Sequence, residues 1–147
     1  LTNIKGDRGG KTNFGIIEKT FLEPEYKPLR DKFGIHRIED VTKEFAYAFY
    51  KFGWWDRLRL EEVRAINPLI AERLLDIGVN GGRGTGVMYL QRIINLFNDN
   101  QKLYPDIAVD GGMGPGTIGA LRKLVEVRKN DPNVFKNIVL QMYILQG

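Results

Sequence analysis

Carboxylates and tyrosines are the groups in this sequence that could do chemistry at neutral pH. The 147 residues include 18 Asp plus Glu, six Tyr and a single His, but no Cys and no Ser. Nucleophilic triads built on a Ser hydroxyl or a Cys thiol are therefore excluded. One histidine cannot supply the two or three that hydrolytic zinc sites use, so no metal site is predicted. The remaining inventory suits glycoside hydrolysis, which needs only Asp and Glu.

The first candidate motif is the glycine-rich run DRGGKTNFGI at positions 7–16. Glycine at such a run lets a bulky ligand or another backbone segment approach closely. Asp7 and Thr12 supply the polar groups. The alternative interpretation is an ordinary turn, which Asp7 would cap.

The second motif, YKFGWWDR at positions 50–57, is a patch of aromatic residues. Tyr and Trp combine an apolar face with a polar tip, which suits stacking on a sugar ring while hydrogen-bonding its hydroxyls. Tyr50 and Trp55 are therefore candidates for ligand contact, and burial in the core is the alternative for each ring. Two adjacent tryptophans cannot face the same way on a helix, so we expect one of them outside the core.

The third motif places Asp76 and Asn80 four residues apart, on one face of a predicted helix that Gly81 and Gly82 end. These side chains either serve a site or act as local capping groups. The fourth motif, VDGGMGPGT at 109–117, predicts a tight turn followed by a helix that starts at Pro115. It lacks the spacing of a calcium loop and the Gly-Lys-Ser/Thr of a phosphate loop.

Helices must position these motifs. Of the 17 glycines, 14 fall in three clusters, at 6–15, 78–86 and 111–119. Apolar residues recur at helical spacing between them, as in Val87, Leu90, Ile93, Ile94 and Phe97. The caps and periodicity predict a mostly helical domain of five or six helices, with the first cluster a loop or a short irregular hairpin. The predicted helices cover 24–32, 42–52, 67–80, 115–125 and 131–142, with another capped by Thr85. Thr42 is expected to cap the helix that Gly53 ends, and Asn67-Pro68 marks the start of another.

The net charge is +4, which gives a modest attraction to polyanions such as nucleic acid, anionic membranes or bacterial cell wall. Charges of both signs are mixed along the predicted helices, as at Glu61, Glu62 and Arg64, so no nucleic-acid partner is predicted. No run approaches the 18 or so apolar residues of a membrane span.

Taken in order, the four motifs resemble glycoside hydrolase family 108, the N-acetylmuramidases of phage endolysins and bacterial secretion-activator proteins. That family opens with Glu-Gly-Gly and then Asp-x-Gly-Gly-x-Thr-Asn-aromatic-Gly-Ile, and positions 7–16 match the second part. Asp76, Asn80 and Gly82 match its Asp-x-x-x-Asn-x-Gly, with Leu90-Gln91 following as in the family. The peptidoglycan-binding-like segment that usually follows has an Asp-Gly-x-x-Gly-Pro-x-Thr pattern, which starts here at Asp110.

The resemblance implies a mainly α fold, with a lysozyme-like helical domain and a small helical C-terminal lobe. Residues 1–83 would form the muramidase region, and residues 84–147 a peptidoglycan-binding-like region packed against it. The activity implied is cleavage of the β-1,4 bond between N-acetylmuramic acid and N-acetylglucosamine, without a cofactor, by a monomer at the bacterial cell wall, in the periplasm or outside the cell. The alternatives are a non-catalytic peptidoglycan-binding or secretion-accessory protein and, last, a basic helical nucleic-acid binder.

The resemblance also implies which residues form the site. By the family's spacing, its catalytic glutamate would fall just before Leu1, so either residues precede Leu1 or the acid is missing. Glu18 sits where the family places no catalytic group. The expected catalytic residues in this sequence are Asp7, Thr12 and Asp76. The expected substrate-binding residues are Gly10, Tyr50, Trp55, Asn80 and Gln91.

Overall fold

The structure of the chain, a computed structural model, describes residues 2–3 and 10–147. Within that part, eight α-helices and three very short strands are formed, and the predicted mainly helical, lysozyme-like class is confirmed. The chain divides into two compact units, Leu1–Gly53 and Trp54–Gly147.

The three strands of the first unit form a small antiparallel sheet in the order β1-β2-β3. They are β1 (Thr2–Asn3), β2 (Lys11–Asn13) and β3 (Ile16–Ile17). Thr12 pairs with Ile17 across the second pair of strands. The described part of the first glycine cluster, from Gly10 to Gly15, thus belongs to a short hairpin, one of its two predicted forms. A turn of two residues, Phe14 and Gly15, joins β2 to β3.

Short helices complete the first unit, and the last of them follows its predicted cap. α1 (Glu18–Phe21) is followed by a 3-10 turn at Pro24–Tyr26, which continues into α2 (Lys27–Phe33). After a second 3-10 turn at Ile38–Asp40, α3 (Lys43–Tyr50) begins at Thr42, whose hydroxyl accepts a hydrogen bond from the Phe45 backbone N–H at 3.2 Å. The core of this unit consists of Ile16, Phe21, Tyr26, Ile35, Ile38, Val41, Phe45, Ala46 and Phe49.

The prediction that Gly53 ends the third helix is wrong. α3 gives way after Tyr50 to a π-helical segment, Lys51–Asp56, which runs through Gly53. A Cβ built on Gly53 would lie 2.6 Å from the Tyr26 hydroxyl oxygen, so the glycine serves close packing at this point.

Five helices form the second unit, four of them longer than any helix of the first unit. They are α4 (Leu60–Ile66), α5 (Pro68–Gly81), α6 (Arg83–Leu96), α7 (Pro115–Val127) and α8 (Val134–Gln146). Helices α5 and α6 pack on each other and both pack on α8. Their shared core joins residues on both sides of position 83, and it includes Leu58, Leu60, Val63, Ile70, Leu74, Ile77, Val87, Leu90, Ile94, Leu121, Leu124, Ile138 and Met142. The predicted division of the chain at residue 83 stays a prediction.

At two helix starts in this unit, the capping residue predicted from the sequence can be compared with the observed one. Asn67 caps α5 as predicted, because its side-chain oxygen accepts hydrogen bonds from the backbone N–H groups of Leu69 and Ile70. The prediction that Thr85 caps the next helix is wrong. α6 begins at Arg83, and the Thr85 hydroxyl donates to the Gly81 carbonyl at 2.7 Å. Gly82 alone separates α5 from α6, so the chain reversal at that residue sets the start of α6.

The second and third glycine clusters meet in the second unit. A Cβ built on Gly84, in the first turn of α6, would lie 3.3 Å from the Gly111 carbonyl oxygen. A Cβ built on Gly111 would lie 3.2 Å from the Gly84 carbonyl oxygen, so side chains on either residue would crowd the contact. The loop that precedes α7 can therefore lie directly on the backbone of α6.

Candidate functional site

The β2–β3 hairpin presents Thr12 on its outward face. Asn13, next along the strand, is 9% exposed, and its side-chain amide donates to the Ile38 carbonyl at 3.0 Å. Successive side chains of a strand point to opposite faces, so Thr12 and its cross-strand partner Ile17 face away from that core. Thr12 is half-buried and Ile17 is 40% exposed. A ligand at this face would meet one hydroxyl beside an apolar side chain.

Gly10 lies next to a carboxylate that the sequence had given no role. A Cβ built on Gly10 would be 3.2 Å from Oε1 of Glu18, the first residue of α1. Beside them, Lys11 is ion-paired with Glu39. The hydrogen bond and the charge of Glu39 raise the pKa of Lys11, and Lys11 lowers the pKa of Glu39 in return. The lysine's positive charge is thus balanced within the unit. Asp7, the other polar residue of this motif, lies outside the described residues.

Tyr50 reaches the same hairpin from the end of α3. Its hydroxyl donates to the Phe14 carbonyl at 3.3 Å. Burial raises the pKa of the Tyr50 hydroxyl, which therefore remains a protonated donor at neutral pH. A Cβ on Gly15 would lie 2.9 Å from the Tyr50 hydroxyl oxygen, so the tyrosine packs closely on the turn. Three predicted site residues, Gly10, Thr12 and Tyr50, thus belong to one small region of the first unit.

In the second unit, Asp76 and Asn80 meet on one face of α5, as their spacing predicts. The Asn80 amide donates to the Asp76 carbonyl at 2.9 Å and to its carboxylate at 3.2 Å. The other carboxylate oxygen of Asp76 accepts a hydrogen bond from Arg73 at 2.9 Å. Both carboxylate oxygens of Asp76 thus accept hydrogen bonds from side chains of the same helix.

Arg73, whose charge alone would predict a solvated side chain, anchors this arrangement. It is 9% exposed, its guanidinium lies 3.8 Å from the ring centroid of Tyr143, and it also donates to the side chain of Gln146. Both of those residues belong to α8. The carboxylate of Asp76 is therefore positioned by an arginine that α8 holds in place.

The two tryptophans are both half-buried and pack against the core of the second unit, and neither is one of its fully buried residues. The Trp54 indole N–H donates to the Gly78 carbonyl at 2.9 Å, and the Trp55 indole N–H donates to Glu61 at 3.2 Å. Both residues lie in the π-helical segment Lys51–Asp56, so the spacing argument for an α-helix does not apply to them. Trp55, the predicted ligand contact, keeps part of its surface exposed.

Gln91 is 1% exposed and has no surface to offer a glycan. Its side-chain NH₂ donates to the Asp110 carboxylate at 3.0 Å, the Gly112 carbonyl at 3.2 Å and the Thr117 hydroxyl at 3.0 Å. Its carbonyl oxygen accepts from the backbone N–H groups of Asp110 and Gly111. The side chain thus holds the loop before α7, and its place in the expected substrate-binding set is corrected to that structural role.

Two further amides hold the same loop and were missed in the sequence. Asn95, near the end of α6, bonds the backbone of Ile107 in both directions, at 2.9 and 2.8 Å. Asn98, two residues after the end of α6, contacts Asp106 and the backbone of Gln101. In the sequence, these residues follow Gln91 at i+4 and i+7, the spacing of one helix face. That spacing of amides among core positions was the available signal.

Within the part of the chain that the structure describes, no three His, Asp or Glu side chains cluster as metal ligands would. No helix among those same residues is both long enough and apolar enough to cross a membrane.

Two sequence profiles match the chain in tandem. The profile described as Glycosyl hydrolase 108 matches residues 1–82. The profile described as Predicted Peptidoglycan domain matches residues 85–142. No curated protein is significantly similar to the chain in sequence.

Proposed function

We propose that this chain, which belongs to the glycosyl hydrolase 108 family, is an N-acetylmuramidase that cleaves the β-1,4 bond between N-acetylmuramic acid and N-acetylglucosamine in peptidoglycan. The observation that carries the proposal is the order of the two matched regions, a glycosyl hydrolase region followed directly by a peptidoglycan-binding-like one. A function connected with peptidoglycan follows from the two regions themselves. The choice of bond, and action at the bacterial cell wall in the periplasm or outside the cell, belong to the proposal.

The hairpin geometry supports a glycan site in the first unit. Thr12 offers a hydroxyl on an outward strand face, and Gly10 leaves room above the backbone beside Glu18. In the mechanism that we propose, a glutamic acid with a raised pKa protonates the glycosidic oxygen as oxocarbenium charge develops on the sugar. That acid is the family's Glu-Gly-Gly glutamate, and Thr12 and Asp7 orient the substrate or the acid.

Asp76 is assigned an orienting role, because its carboxylate already accepts hydrogen bonds from Arg73 and Asn80. A proton donor in glycoside hydrolysis must instead be held neutral, in surroundings that disfavour its charged form. Trp55 and Asn80 remain the proposed glycan contacts of the second unit.

The test compares the chain as printed with the same chain preceded by the family's Glu-Gly-Gly segment. Both are incubated with purified peptidoglycan, and the reducing ends are counted and identified by mass spectrometry. We expect the extended chain to release fragments that end in reducing N-acetylmuramic acid, and a Glu→Gln change in the added segment to abolish that release. Fragments ending in N-acetylglucosamine would refute the assigned bond.

The second candidate is a non-catalytic peptidoglycan-binding protein. It is favoured by one observation, that residues 85–142 match a peptidoglycan-binding-like region. The same assay separates the two candidates: this one requires the extended chain to sediment with insoluble peptidoglycan and to release no reducing ends.

A further inference from the structure

Phe14 occupies a position that is unfavourable for phenylalanine in two respects. Its φ is +52°, in the left-handed region that L side chains other than Asn and Asp rarely adopt. Its side chain is also 52% exposed, so much of the ring gains nothing from burial. Strained residues that persist in a fold cluster at functional sites, where the strain belongs to the mechanism.

The turn itself does not require an aromatic residue. Phe14 and Gly15, at φ +52° and +78°, are the two residues that join β2 to β3, and two-residue hairpin turns with both φ values positive favour Asn-Gly or Asp-Gly. A phenylalanine in the first position thus replaces a residue type that would fold more readily.

The surroundings of Phe14 hold it in place. The Tyr50 hydroxyl donates to the Phe14 carbonyl, and the Asn13 amide ties the preceding residue to the Ile38 carbonyl. The backbone on both sides of the ring's attachment point is therefore pinned to the first unit. The half-buried Thr12 and the exposed Ile17 continue the surface along the hairpin.

We infer that Phe14 is a stacking platform for a pyranose ring of the glycan strand, fixed at the tip of the hairpin by Tyr50. The inference rests on the proposed function, because it takes the ligand to be the β-1,4-linked amino-sugar strand. A rigid aromatic face offers one side of a sugar ring an apolar contact at little entropic cost, and the hydroxyl of Thr12 lies two residues away for a polar contact.

The test uses the full chain and a β-1,4-linked N-acetylglucosamine oligosaccharide, with binding measured by calorimetry. Phe14→Asn, which creates the favoured turn sequence, should weaken binding by about 5- to 10-fold, the value of one lost aromatic contact. Its melting temperature should stay within about 2 °C of the wild type or exceed it, because the relief of strain offsets the lost ring contacts. Phe14→Trp should retain wild-type affinity.

Tyr47→Ala is the matched control, since Tyr47 is an aromatic residue of the same unit, is 73% exposed, and lies on α3 rather than in the hairpin turn. It should leave the affinity unchanged, and a loss equal to that of Phe14→Asn would overturn the inference. So would unchanged binding by Phe14→Asn, or weaker binding together with a melting temperature lowered by more than about 5 °C, which would mark a folding role. A wild-type chain that binds no oligosaccharide would overturn the proposed function as well, so the two failures are distinguishable.

Discussion

Exchanging the buried amide of Gln91 for a carboxylate tests whether this side chain holds the loop before α7. Gln91→Glu keeps the shape of the side chain and the oxygen that accepts from the Asp110 and Gly111 backbone N–H groups. It removes the NH₂ that donates to the Asp110 carboxylate, the Gly112 carbonyl and the Thr117 hydroxyl. The substituted oxygen then lies opposite the carboxylate of Asp110.

The loss of stability can be worked from these contacts. The two hydrogens of the NH₂ are shared among these three acceptors, and each buried hydrogen bond contributes about 1 kcal/mol net, so losing the NH₂ costs about 2 kcal/mol. Repulsion from Asp110 adds to that cost. For a chain of this length, a loss of about 2 kcal/mol lowers the melting temperature by about 4–8 °C. The matched control is Gln101→Glu, because Gln101 is exposed and uses only its side-chain oxygen, which accepts from the Asp106 N–H. That variant should change the free energy of unfolding by less than about 0.5 kcal/mol.

The pH dependence makes the test specific. Hydrogen bonds from the Gly112 N–H and then from the Gln91 amide lower the pKa of Asp110, which therefore stays ionised in mild acid. The introduced carboxyl, buried beside that charge, should have a folded-state pKa above its unfolded value of about 4.3. Its protonated form can donate to Asp110, so the loss of stability should be small near pH 4.3 and should grow as the pH rises through the folded-state pKa.

The measurement is urea unfolding of wild type and both variants at about pH 7.5 and about pH 5. If Gln91→Glu unfolds with the wild-type free energy at the higher pH, the hydrogen bonds donated by the Gln91 amide contribute nothing to stability. If its deficit is the same at both pH values, the contact with the Asp110 carboxylate is not the cause.

Two further predictions concern the hairpin turn and a buried tyrosine. Gly15→Ala should lower the free energy of unfolding by about 1–2 kcal/mol, because φ is +78° and the new Cβ would lie 2.9 Å from the Tyr50 hydroxyl oxygen. Gly116→Ala, in the first turn of α7 with open space around its Cβ, should raise it by about 0.5 kcal/mol. Equal effects of the two substitutions in denaturant unfolding would contradict the strain argument. Burial raises the pKa of Tyr104 to about 12, and its hydroxyl donates to the Ile94 carbonyl at 2.7 Å. The stability that Tyr104 lends should therefore be present below its unfolded pKa of about 10 and be lost as the pH rises through about 12. An ultraviolet absorbance titration of the wild type should show one tyrosine that ionises near pH 12, and Tyr104→Phe should remove that step. If Tyr104→Phe instead removes a step near pH 10, about the ordinary tyrosine value, the hydroxyl is not buried as described.

Much of the helical fold could be predicted from local signals. Asn67-Pro68 marked the start of α5 and Thr42 that of α3, because a capping side chain and a proline act on backbone groups within a few residues. The four-residue separation of Asp76 and Asn80 likewise predicted the contact between their side chains. Thr85 failed as a cap because the reversal at Gly82, fixed by how α5 and α6 pack, determines where α6 begins.

The candidate site, like the fold, was predicted from the sequence only in part. Residue types alone excluded serine, cysteine and multi-histidine chemistry, and the motif order indicated the family, because both depend only on what the chain contains. Gln91 is buried because the loop before α7 lies against α6 and bonds its side chain. Thr12 faces outward because of the way β2 pairs with β3. Those contacts join residues distant in the sequence, so their outcome is set by packing and backbone hydrogen bonding. Only the tertiary structure could show that a strained, exposed Phe14 stands at the tip of the hairpin, because its φ and its exposure are properties of the folded chain.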